Sequence, residues 1–92
     1  MFMSKKIFES LIDKQQKIEK LIQKAKDDEA KAKAELEKVN EELSYLLADN
    51  ALGKITKPEI TRMKRRREKL QEIISDTPLL IKGLNRLRII DI

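Results

Sequence analysis

Arg62, Arg65, Arg66 and Lys69 are the residues whose type and spacing point most directly to chemistry. They belong to the run Arg62-Met63-Lys64-Arg65-Arg66-Arg67-Glu68-Lys69. At about 100° per residue the four share the helix face opposite Ile60, Met63 and Leu70. Arg62 with Arg66, and Arg65 with Lys69, are like charges four apart, which costs an isolated helix a few tenths of a kcal/mol instead of supporting it. A ridge with that unrelieved repulsion fits an anionic partner, either a nucleic-acid backbone bound with strong salt dependence or an acidic protein. The plainer reading is a solvated face. Glu68 and Glu72 lie within a turn of Arg65 and Lys69. No aromatic residue interleaves the run to stack on bases, and no RNA-binding signature is present.

The rest of the chain offers little to a catalyst. Without Cys or His, disulfides, thiolate chemistry, zinc sites of the usual kind and histidine acid-base work are all removed. Asp27-Asp28-Glu29 is the only dense acidic group, but hard cations want about six or more oxygens converging from a shaped loop, whereas consecutive helical residues point apart. There is no nucleophile-base pair, no Gly-rich phosphate loop, and no concave pocket that two or three helices would naturally form. The chain therefore reads as non-enzymatic, with no cofactor, metal or small-molecule substrate. A helix-turn-helix built on Ala51-Leu52-Gly53, Ile55-Thr56 and the basic helix fails because the first helix is far too long and no third helix precedes it.

What would position the basic ridge is a pair of long helices. Phe8, Leu11, Gln15, Ile18, Ile22, Ala25, Glu29, Ala32, Leu36, Val39, Leu43 and Leu46 keep an unbroken 3-4 spacing. A 3.5-residue repeat held this long keeps one seam against a neighbouring helix, since a straight helix would rotate the stripe away by about 20° per heptad. The second half continues the pattern with Ile60, Met63, Arg67, Leu70, Ile74, Thr77, Ile81 and Leu84. Gln15, Glu29 and Arg67 are polar seam positions, of a kind that can fix register at a cost in stability.

Between the halves, Gly53 suits the left-handed position past a helix end. Thr56 with Glu59 forms a capping box, Pro58 sits in the tolerant first turn, and Ile55 with Ile60 has the spacing of a hydrophobic staple. So short a connection favours antiparallel neighbours. The expectation is an all-α, coiled-coil-like antiparallel helical hairpin, one helical domain over residues 1–92, with position i facing about 108 − i. Arg66 and Arg67 would then face Glu41 and Glu42. In the second arm Ser75-Asp76-Thr77-Pro78 predicts a kink or break. The elements are a helix over about 4–52, a turn at 53–56, a helix over about 57–75 and a short third helix over about 77–88.

Composition agrees with a helical rod: 40% of residues are charged and 3% aromatic, with two Gly and two Pro. Two helices make a thin core, and the arms carry surplus apolar residues. Phe8, Leu11, Ile12, Leu80, Leu84 and Leu87 are the expected assembly contacts, predicting an oligomeric helix bundle, most simply a homodimer. A different protein could instead complete the seam. The net charge of +5 is uneven: residues 1–50 hold 10 basic against 11 acidic residues, residues 51–92 hold 11 against 5. The basic excess of the second half bears on partners and not on fold. No stretch approaches the roughly 20 apolar residues of a membrane span, and Met1-Phe2-Met3-Ser4-Lys5-Lys6 is followed by no signal-like apolar run. A cytoplasmic, unprocessed chain is expected.

Overall fold

The computed structural model describes residues 5–90, with side chains from residue 10 to residue 88. It contains two helices, α1 (Lys5–Ala51) and α2 (Lys57–Ile90), packed against each other along a rod of 78 × 16 × 15 Å. Among the described residues there is no strand.

The heptad pattern dictates the packing. Every seam position from Leu11 to Leu46 on α1, and from Ile60 to Leu84 on α2, is buried or half-buried. Leu43 and Leu70 are the most deeply enclosed, and Ala32, Val39 and Ile60 join them in one cluster near the turn. Each polar seam residue has its own solution. Gln15 Nε2 donates to the Arg88 carbonyl at 3.2 Å, and Glu29 reaches back to Lys33 at 3.2 Å. Arg67 is half-buried, with an aliphatic stem suited to covering the seam beneath a solvated head. Among the described residues no buried side-chain polar atom lacks a hydrogen bond.

The turn closes as a Schellman motif. Lys54 N–H donates to the Asp49 carbonyl at 3.0 Å and Gly53 N–H to the Asn50 carbonyl at 3.1 Å. Gly53 has φ +96°, a conformation that side chains rarely tolerate. The contact that usually accompanies this motif is apolar; here Lys54 Nζ and Asp49 form an ion pair at 3.6 Å. Thr56 is the N-cap, its carbonyl accepting from Ile60 N–H at 2.9 Å. Its hydroxyl does not serve the expected capping box: it donates across the hairpin to the Leu46 carbonyl at 3.2 Å. The Ile55–Ile60 staple is also overturned, because Ile60 is buried while Ile55 is 93% exposed.

The register also differs from the expectation. The cross-helix partners Glu35–Arg66, Leu46–Thr56 and Gln15–Arg88 have residue numbers summing to about 102, not 108. The chain descends beside the last turns of α1 before α2 begins, so α1 overshoots the start of α2 by about six residues, or roughly 9 Å. The end of α2 then lies about level with Ile12, and the arms are closer to equal than the symmetric estimate implied.

The separate third helix is corrected as well: α2 is one element from Lys57 to Ile90 with Pro78 inside it. Seam residues continue on both sides of the proline, and Ile74, Thr77, Ile81 and Leu84 are all buried or half-buried. Thr77 Oγ1 donates to the Ile73 carbonyl at 2.6 Å, securing the turn before the proline, while Pro78 itself is exposed. Packing against α1 outweighs a local stop signal.

Candidate interaction surfaces

On the outer face of α2, Arg62, Arg65, Arg66 and Lys69 line a shallow depression with Pro58 and Thr61, as their spacing predicts. One of the four is already engaged. Arg66 donates from Nε at 2.8 Å and Nη2 at 2.6 Å to Glu35 Oε1 on α1. This replaces the expected opposition of Arg66 and Arg67 to Glu41 and Glu42, for the register reason given above. Both partners are nearly half exposed, so the pair is worth at most about 1 kcal/mol. Among the described residues, Arg62, Arg65 and Lys69 have no carboxylate within ion-pair distance. The ridge is thus three free cations and one tethered one.

The six apolar assembly candidates do not form one surface. The side chain of Phe8 lies outside the described residues. Leu11 and Leu84 are half-buried in the seam and serve the hairpin itself. Ile12, just after Leu11, belongs to one flank of the seam, with Glu19, Lys26, Lys33 and Asn40 following at seven-residue intervals. Leu80 and Leu87 belong to the opposite flank, just before Ile81 and Arg88.

That second flank is the apolar one. Leu21 (46% exposed), Ile73 (40%), Leu80 (53%) and Leu87 (50%) lie along it at the end of the rod away from the turn. Leu21 and Leu80 line one depression with Ala25 and Leu84; Ile73 and Leu80 line the next with Ala25 and Thr77. Small Ala25 and Ala32 deepen the groove. The legible signal for Ile73 was its place in the series Ile73, Leu80, Leu87, each one residue ahead of a seam position; Leu21 stands likewise ahead of Ile22.

Among the described residues no group of carboxylates is arranged to hold a metal ion, and no helix is long and apolar enough to cross a membrane. Comparison with family models, curated proteins and solved structures finds no match.

Proposed function

We propose that this chain is a non-enzymatic helical interaction module, a single hairpin domain that self-associates, most simply as a dimer. The observation that carries this reading is the flank of Leu21, Ile73, Leu80 and Leu87, large apolar side chains 40–53% exposed. Exposed apolar side chains gathered on one flank, here interrupted by Asp28, mark a contact surface, and a two-helix rod gains the core it lacks by pairing. A cytoplasmic setting fits a chain without Cys. Sedimentation equilibrium at micromolar concentration tests the reading: the wild type is a dimer, and Leu80→Glu with Leu87→Glu is a folded monomer. A folded wild-type monomer at that concentration overturns it.

A second reading rests on Arg62, Arg65 and Lys69, which have no carboxylate partner among the described residues. They suit an anionic partner, nucleic acid or an acidic protein. Fluorescence anisotropy with labelled duplex DNA, single-stranded DNA and RNA at about 50 and 200 mM salt separates these, since phosphate contacts weaken steeply over that range. Arg62→Glu with Arg65→Glu removes nucleic-acid binding and leaves assembly intact if the ridge is the site.

A further inference from the structure

The depression on the outer face of α2 presents four cations, one hydroxyl and one proline ring, from Arg62, Arg65, Arg66, Lys69, Thr61 and Pro58. Among the described residues no carboxylate, aromatic ring or large aliphatic side chain lines it. That composition separates the two anionic partners of the second reading. A protein docks through a core depleted of charge and anchored by aromatic side chains, whereas interfaces with nucleic acid are more polar and much more positive. The depression is of the second kind. Single strands are held on aromatic platforms where bases stack, and it offers none. A duplex needs none, because its phosphates face outward.

The carboxylates nearby set the length of the contact. At 1.5 Å per residue Arg62 and Lys69 stand about 10 Å apart along α2, about three phosphate steps of one strand at 3.4 Å each. Past these ends the same face turns acidic: Glu59 precedes Arg62, and Glu72 and Asp76 follow Lys69. Glu68 stands beside the row, on the edge nearer Arg65. All four are exposed, and none has an ion-pair partner among the described residues. A polyanion laid along the whole rod would therefore meet carboxylates, while a local contact meets Arg62, Arg65 and Lys69. Arg66 is withheld by Glu35. We infer that the ridge grips the backbone of duplex nucleic acid over about three phosphates, with Arg66 kept back by Glu35 as a fourth contact. This deepens the second reading and rests on it. Phosphate contacts carry no sequence information, so duplexes of unrelated sequence bind alike.

Fluorescence anisotropy of the full chain with a labelled DNA duplex, one of its strands alone and labelled poly-glutamate, at about 50 to 200 mM salt, tests the inference. Neutralising three phosphates weakens duplex binding about 40-fold over that range, since the logarithm of affinity falls by about 0.9 per phosphate for each tenfold rise in salt. Arg62→Gln, Arg65→Gln and Lys69→Gln each flatten this slope by about 0.9, while Glu35→Gln and Glu72→Lys each steepen it by about 0.9. Lys82→Gln, at an exposed cation outside the ridge, leaves it unchanged. Circular dichroism confirms that each variant keeps its helices. If Lys82→Gln flattens the slope as much as Arg62→Gln does, net charge carries the binding and the site is overturned. An unchanged slope in Glu35→Gln overturns the role given to Arg66. Tighter binding of the single strand or of poly-glutamate, weakened by Arg62→Gln, overturns the duplex and leaves an anion-binding ridge standing. Binding of none of the three at about 50 mM salt removes both.

Discussion

Replacing Pro78 with alanine measures what the uninterrupted α2 costs the protein. In the interior of a helix proline is about 3 kcal/mol less favourable than alanine, because it lacks a donor for the carbonyl four residues back and its ring crowds that group. Here that carbonyl belongs to Ile74. Pro78 is exposed, so alanine removes no core contact, and the turn before it keeps the Thr77 hydroxyl bond to Ile73. Against the gain stands the greater freedom of the unfolded chain, about 0.5–1 kcal/mol. The net expectation for Pro78→Ala is a stabilisation of about 2 kcal/mol. With a urea m-value of about 1 kcal/mol/M, the unfolding midpoint followed by circular dichroism rises by about 2 M at fixed protein concentration. An unchanged or lower midpoint refutes the reasoning: it would mean that the chain is broken at Ser75-Asp76-Thr77 and that proline serves as the start of a separate segment.

Leu70 is 1% exposed beside Ala32, and Leu70→Ala is expected to lower stability by about 2–4 kcal/mol in denaturant titration, a loss under about 1 kcal/mol contradicting its place in the seam. Gly53→Ala meets no neighbouring atom, yet φ +96° makes it costly by about 1 kcal/mol; Gly53→Asn costs less, and thermal melts of the two variants should rank accordingly. Glu35→Gln removes an exposed fork and changes stability by no more than about 1 kcal/mol. By releasing Arg66 to the ridge, it also raises affinity for heparin at low salt, which a salt-gradient elution would reveal as later release.

The hairpin was legible because its cause is periodic. A 3-4 spacing from Leu11 to Leu46 and from Ile60 to Leu84 states which face of each helix is covered, and all those positions are covered. Gly53 was legible for a similar reason: a backbone with positive φ selects glycine. The register was not, because residues 54–56 run alongside the last turns of α1, with the Thr56 hydroxyl on the Leu46 carbonyl, and no sequence signal marks that path. Local rules also failed where packing outweighed them. Pro78 did not end α2, and Ile55 did not fold onto Ile60. The basic ridge was visible as a helix face, but the loss of Arg66 to Glu35 followed from the unforeseen register. Leu11 and Leu84 are half-buried in the seam, and Leu21 and Ile73 stand exposed one residue ahead of seam positions.

The described helices begin and end at one pole, with Lys5 and Ile90 there and the turn at the other. A bulky reporter carried at Ile90 therefore sits about one helical turn from Leu87, where it would crowd pairing and produce a false monomer. A reporter carried at Lys54 or Ile55 stands at the far pole of a 78 Å rod, clear of the leucine groove. Of the attachment points this shape offers, the bend is the one from which association can be watched without being disturbed.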